Sequence, residues 1–294
     1  MKRKLEVSEL IFKIISYTLL TIFALCCLYP FLYAISASIS GEHAVEYNEV
    51  VLFPKDIQFE AFSRMFNDNM FWNSYTNTLF LTIYGTVWAL GYSILGAYAL
   101  SKKRLLFRKG FNFFLVFTMW FSAGLVPQYL NYLDTGRVFD AFGVTDDKWL
   151  VVIAMGMAAM NIILLRNSFE GVPSEIEEAA IVDGATEMQV LWRVYIPMSK
   201  SIIATVSLFF AISRWNGYFW ARQMISNVNE QPLQVFIRKK LEDFTNPEMI
   251  WNESYASDSV IYALIVCSIV PILIIYPFIQ KYFAKGVNVG GVKE

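Results

Sequence analysis

Six apolar runs, each close to the length a helix needs to cross a bilayer, constrain what this chain can become: Ile11 to Ala37, Asn73 to Leu100, Phe111 to Leu130, Trp149 to Leu165, Ser201 to Ala221 and Ser259 to Phe283. About twenty such residues span the hydrocarbon core as helix. Lipid offers no partner to a bare amide, so each run must satisfy its own backbone, and the helix does so. The expected fold class is an all-α integral membrane protein with six transmembrane helices in a single transmembrane domain over residues 1–294. Composition agrees: 56% of residues are hydrophobic and only 17% charged, against roughly a quarter charged in soluble domains. The basic start Met1-Lys2-Arg3-Lys4 resembles the head of a signal peptide. The run behind it exceeds a signal's apolar core and lacks a convincing small-residue cleavage site, so it reads as a retained first span.

Orientation follows from the cations beside short loops. Lys2, Arg3, Lys4 and Lys13 precede or open the first run; Lys102, Lys103, Arg104, Arg108 and Lys109 fill the second-to-third loop; Lys281, Lys285 and Lys293 mark the tail. The segment from Ser38 to Trp72 is acidic instead, through Glu42, Glu46, Glu49, Asp56, Glu60 and Asp68. Both termini are therefore expected in the cytoplasm, with the chain multi-pass in the cytoplasmic membrane. Outside lie Ser38 to Trp72, roughly Asn131 to Lys148, and the loop Arg222 to Asp258. The last carries Arg238-Lys239-Lys240 and Trp251, and reads equally as a solvated cap or as a docking surface.

Several chemistries find no support. The net charge is -1 and no basic arm is present, so nucleic acid is not an expected partner. Cys26, Cys27 and Cys267 lie inside apolar runs, where thiols behave as small hydrophobes. His43 is the single histidine and has no clustered ligands, so neither a metal site nor a catalytic residue is expected. No G-x-x-x-x-G-K-[ST] loop occurs, so this chain binds no ATP and no other cofactor of its own.

The longest polar interruption that still reads as folded is Pro173 to Pro197, PSEIEEAAIVDGATEMQVLWRVYIP. Ser174 with Glu177, and Thr186 with Gln189, have capping-box spacing. Gly184 between them permits a sharp corner, and Pro197 lacks the amide to carry the second helix far. Met188, Leu191, Trp192 and Tyr195 form one apolar stripe at i, i+3, i+4 and i+7. Taken alone, such a stripe packs back on its own helices. Cation placement puts the unit on the cytoplasmic side.

Polar and aromatic residues inside the spans are candidates for a solute path: Trp120, Gln128 and Tyr129 in the third, Asn161 in the fourth, and Arg214, Trp215, Asn216, Tyr218 and Trp220 in the fifth. An arginine or asparagine at membrane depth is costly and so a functional suspect. Aromatic faces stack on sugar rings while amides and guanidinium bond hydroxyls or acids. The competing readings are an interfacial aromatic belt with Arg214 snorkelling, and Asn161 as glue between helices.

Glu178-Ala179-Ala180, Asp183-Gly184-Ala185 and Val194-Tyr195-Ile196-Pro197 resemble the EAA loop of ATP-binding-cassette importer permeases. Ser122 to Pro127 (SAGLVP), Trp215-Asn216, Pro232-Leu233-Gln234 and the closing run Tyr276 to Val287 resemble the carbohydrate subfamily, which includes the maltose-type and the lipo-oligosaccharide and alginate-type permeases. The resemblance implies a type I importer fold whose cytoplasmic EAA loop is a coupling helix. Its coupling residues would be Glu178, Ala179, Ala180, Asp183, Gly184, Ala185, Leu191 and Pro197. It implies as partners a second homologous permease in a heterodimer, two ATP-binding-cassette ATPase subunits that hold the ATP and Mg, an extracytoplasmic solute-binding protein, an oligosaccharide substrate and membrane lipid. The function implied is import of an oligo- or polysaccharide by alternating access, with hydrolysis left to the partners and no enzyme activity here. The alternatives are a permease of this design for a peptide or phosphonate, and a membrane transferase, whose clustered acids or histidines are not visible.

Overall fold

The computed structural model describes residues 7–245 and 258–286, and every regular element among them is helical. In chain order these are α1 (Val7–Ser38), α2 (Glu42–Glu46), α3 (Glu60–Phe66), α4 (Asn69–Ser101), α5 (Arg108–Trp120), α6 (Leu125–Ala141), α7 (Asp147–Ala154) and α8 (Ala159–Glu170). There follow α9 (Ser174–Val182), α10 (Glu187–Val190), a π-helical turn Leu191–Tyr195, α11 (Ile196–Met198), α12 (Lys200–Trp215), α13 (Phe219–Met224), a 3₁₀ turn Val228–Glu230, α14 (Leu233–Thr245) and α15 (Asp258–Gly286). The basic start Met1 to Lys4, Trp251 and the tail beyond Gly286 lie outside the described residues.

Among the described residues three helices, α1, α4 and α15, are long and apolar enough to cross a membrane unbroken. At 1.5 Å per residue the 32 residues of α1 reach about 48 Å, more than the hydrocarbon thickness. Three bent helix pairs are long and apolar enough only when each is taken together, as a broken span or a re-entrant loop: α5 with α6 at 116°, α7 with α8 at 53°, and the stretch Glu187–Met198 with α12 at 87°. The expected third span, Phe111 to Leu130, is thus not one helix. It breaks at Phe121 to Gly124, where Gly124 sits at φ +89° and ψ 168°, a region open essentially to glycine alone. The expected fifth span, Ser201 to Ala221, begins with α12 but stops at Trp215, and α13 is a separate short helix.

The chain divides into two compact units. The first comprises residues 1–71 and 237–270. Its small core joins Ala37, Ala44, Val45 and Val50 to Tyr33 and Tyr262, whose rings meet edge-on at 5.4 Å. The end of α1 is stitched to the segment after α2: Ser36 Oγ donates to the Leu52 carbonyl at 2.7 Å, and the Gly41 and Gln58 amides donate to Lys55 and Ile39 carbonyls. The second unit comprises residues 72–236 and 271–294. One of its cores gathers α4, α8, α10, the π turn and α12 around Leu165, Phe169, Val190, Leu191, Tyr195, Val206 and Phe210. Another joins Leu81, Leu150, Val151 and Val152 to Ala221, Met224, Ile225 and Val235.

The packed face of α4 is a row of small residues four apart: Gly85, then Ala89, Ser93 and Ala97, the last three fully buried. In lipid the hydrophobic effect does not press helices together, so close approach over small side chains does the work. Ala97→Leu, which forces a larger side chain into a position with no exposed surface, is expected to cost about 1–3 kcal/mol. A drop in the thermal unfolding midpoint of detergent-solubilised protein checks it; an unchanged midpoint would mean that this face is loosely packed.

Candidate functional site

The corner at Gly184 is built from backbone first. Helix α9 ends in a left-handed residue: Gly184 has φ +82°, its amide donates to the Ile181 carbonyl at 2.9 Å, and the Ala185 amide reaches back to the Ala180 carbonyl at 3.0 Å. This is a complete Schellman closure, which explains glycine at 184 and small residues at 180 and 185, since both alanines pack against the core beneath. A Cβ at Gly184 would meet nothing within 4 Å, so backbone conformation alone calls for glycine. On the far side the Thr186 capping box forms as the spacing predicts. The Gln189 amide donates to Thr186 Oγ1 at 3.4 Å and the Thr186 amide to Gln189 Oε1 at 2.8 Å.

Two expectations for this stretch need correction. The Ser174 and Glu177 pair makes no capping box: the N-cap is Pro173, Ser174 is already the first helical residue, and Glu177 turns to other partners. The predicted stripe is also misplaced. Leu191 and Tyr195 are buried, but Met188 and Trp192 are exposed, and Val190 and Val194 complete the inward face. Apolar residues here cover well over half the circumference, so periodicity cannot choose the centre. The packed face lies roughly a quarter turn from the stripe at 100° per residue.

Glu177 and Glu187, one on each side of the corner, are held by the end of α4 and the loop after it. Lys102 Nζ lies 2.7 Å from Glu177 Oε1, and 4.2 Å and 4.0 Å from the ring centres of Tyr98 and Tyr195. Those two rings meet edge-on at 5.0 Å. Tyr195 donates its hydroxyl to the other oxygen of Glu177. Tyr98 donates its hydroxyl to Glu187 Oε2 at 2.8 Å, and Arg104 pairs with Glu187 while lying 3.7 Å from Glu177. Burial works to raise the Glu177 carboxyl, but Lys102, Tyr195 and Arg104 together hold it below the usual carboxylate range. Burial pulls the Lys102 ammonium down from its ordinary value against the opposing pull of Glu177. A second brace lies beside this one: Arg108 pairs with Glu170 and donates to the Leu100 carbonyl at 2.8 Å, closing the end of α4.

These braces were missed in the sequence, where Lys102, Arg104 and Arg108 served only as orientation markers. Tyr98 and Lys102 are four apart, a helix-face spacing that a reader could have noticed. Nothing in one sequence pairs them with acids some 75 to 90 positions on.

Of the residues that the resemblance marks for coupling, Glu178 and Ala179 are exposed on α9, Ala180 and Ala185 face inward, Asp183 caps α9, and Gly184 makes the turn. Leu191 is buried in the core beneath, and Pro197 sits exposed in α11, just before the 87° bend into α12. Around the corner several large apolar side chains are left bare: Val182 is 86% exposed, Trp192 63% and Met188 53%.

The solute-path candidates divide. Trp120 is exposed, on the last turn of α5 before the break. Tyr129, Tyr218 and Trp220 are half-buried against the core of Leu150 to Val152, with Trp220 edge-on to Tyr132 at 4.7 Å; Gln128 is half-buried on α6. Asn161 is buried at the start of α8. Asn216 is exposed, its amide donating to the Ile212 carbonyl at 3.0 Å, and Trp215 is buried edge-on to Tyr75 at 5.8 Å. Arg214 is only 5% exposed. Its stem lies along Gly85, where a Cβ would come within 3.1 Å of it, and it donates to the Met155 carbonyl at the break between α7 and α8.

Comparison with known proteins places the chain in a family. Residues 69–289 match the family model described as the binding-protein-dependent transport system inner membrane component. The chain is 33% identical over 288 residues to the polygalacturonan/rhamnogalacturonan transport system permease protein YtcP of Bacillus subtilis (strain 168), covering 96% of this chain and 98% of that protein. It is 35% identical over 271 residues to protein LplC of the same organism, covering 90% and 88%. Among solved structures it superposes with a TM-score of 0.85 on a chain of a bacterial ABC transporter involved in the import of the acidic polysaccharide alginate, at 45% identity and covering 96% of this chain and all of that one.

Proposed function

Since the chain belongs to the family of binding-protein-dependent transport system inner membrane components, we propose that it is the permease subunit of an ATP-driven importer that carries an oligo- or polysaccharide across the cytoplasmic membrane. The observation that carries the carbohydrate reading is the 45% identity, over 96% of this chain and all of the other, with a chain of an ABC transporter involved in the import of an acidic polysaccharide. YtcP, named for polygalacturonan and rhamnogalacturonan, points the same way.

In this reading both termini and the Gly184 corner face the cytoplasm. The chain pairs with a second permease, a binding protein delivers sugar from outside, and two ATPase subunits hold ATP and Mg. Closure of the ATPases must move the pair between inward- and outward-open states; taking that balance from 1:99 to 99:1 requires about 5.5 kcal/mol of differential binding. A rigid corner transmits such a push, and α9 and α10 meet at one, with Glu178 exposed beside it. On the solute side the half-buried aromatics Tyr129, Tyr218 and Trp220 have faces suited to sugar rings, with Trp120 and Asn216 exposed near helix breaks.

The test is hydrolysis by the assembled complex in lipid, with and without the binding protein, across neutral and acidic oligosaccharides. Stimulation by a carbohydrate is the expected result, acidic chains acting most strongly. Stimulation by a peptide or phosphonate instead would overturn the sugar reading and leave the ATPase coupling standing.

A further inference from the structure

Three donors cluster at the end of α4: the Tyr98 hydroxyl, the Lys102 ammonium and the Arg104 guanidinium. Their two acceptors, Glu177 on α9 and Glu187 at the start of α10, straddle the Gly184 corner. Lys102 is the centre of the arrangement. It is only 9% exposed, ion-paired to Glu177, and enclosed by the Tyr98 and Tyr195 rings, so its charge meets a carboxylate on one side and two π faces on others. A lysine whose sole task is to mark the cytoplasmic side would be solvated. Burying an ammonium is costly unless it is paired and enclosed in this way.

A corner braced from one side only would pivot under load. Here each arm is tied to the same helix end, Glu177 by Lys102 and Glu187 by Tyr98 and Arg104, so the corner cannot rotate about Gly184 without breaking ion pairs. Helix α4 is one of the long membrane-crossing rods, and its end is further closed by Arg108 on the Leu100 carbonyl. We propose that Lys102 is a positioning residue for energy coupling: its cage of Tyr98, Tyr195 and Glu177 locks the Gly184 corner to the end of α4, so that motion imposed on the corner is delivered to that helix. The inference rests on the coupling function proposed above and adds a load path that runs through the second-to-third loop.

The experiment measures ATP hydrolysed per solute imported, in liposomes containing the whole assembled complex. Lys102→Met is expected to raise that ratio roughly tenfold, and Lys102→Arg, which keeps a cation between the rings, to restore most of the coupling. Lys102→Met leaves the half-buried Glu177 carboxylate with only the Tyr195 hydroxyl and the more distant Arg104, so loss of assembly by that variant has to be told apart from loss of coupling. The double change Lys102→Met with Glu177→Gln removes both charges and keeps the packing; it should assemble and still be uncoupled. An unchanged ratio in the assembled double variant would overturn the proposal. The ratio is read on whichever solute stimulates the wild type, so a non-sugar solute would sink the carbohydrate reading and leave this test intact. A wild-type complex whose hydrolysis ignores every solute would remove the coupling reading and the role of Lys102 with it.

Discussion

Gly184→Val in the assembled importer is expected to uncouple hydrolysis from uptake, whereas Gly184→Asn is expected to leave most of the coupling intact. The corner residue sits at φ +82° with nothing within 4 Å of a prospective Cβ, so substitution strains only the backbone. For a branched side chain a left-handed residue costs on the order of 1–3 kcal/mol, while asparagine adopts that conformation readily. About 2 kcal/mol lowers the population of the native corner relative to any relaxed alternative roughly 30-fold. Relaxation would also break the Gly184 and Ala185 amide bonds to Ile181 and Ala180. Solute accumulation and phosphate release measured on the same liposomes separate the outcomes. Coupling in the valine variant equal to wild type would mean that the corner need not be rigid, and equal damage from valine and asparagine would mean that it is the bare glycine surface that matters.

The second large effect is expected at the apolar side chains left bare around the corner. Val182 at 86% exposure and Trp192 at 63% contribute little to the packing of this chain, so Val182→Glu and Trp192→Glu should change its own stability by no more than about 0.5 kcal/mol. If the ATPases seat on this surface, the same substitutions place a charge in a desolvated contact. Losing a tryptophan anchor typically costs about 2 kcal/mol or more, roughly 30-fold in association. Co-purification of ATPase with the tagged permease, beside a thermal unfolding curve of each variant, reads both quantities. Full ATPase recovery with both variants would mean that the exposed side chains serve some other contact. A shifted unfolding midpoint would mean that they pack within this chain.

How much of the site was legible depends on how local its physics is. The Thr186 and Gln189 cap and the turn at Gly184 rest on residues one to five positions apart, and both took the form that their spacing predicts. The Ser174 and Glu177 pattern has the same spacing and failed, because the helix starts one residue earlier, with Pro173 at the cap, and the Glu177 carboxylate is paired instead with a lysine more than seventy positions earlier. The stripe failed for a different reason. Val190, Leu191, Val194 and Tyr195 as well as Met188 and Trp192 are apolar, and only the packing of α8 and α12 against one side decides which of them are covered.

The spans show the same division. Residue composition over twenty positions decides whether a segment prefers lipid to water, because transfer free energy adds along the chain, and so the apolar runs, the helical class and the membrane setting follow from sequence alone. The 116° break at Phe121 to Gly124 lies within one such run and leaves its hydropathy unchanged. The burial of Arg214 along Gly85 likewise depends on a helix distant in sequence. Such features come from pairwise contacts whose free energy is set by distance and direction in three dimensions. So does the Lys102 cage: its chemistry is written at positions 98, 102, 177 and 195, but only tertiary structure brings these side chains within a few ångströms, where an ammonium between two rings and a carboxylate becomes a joint.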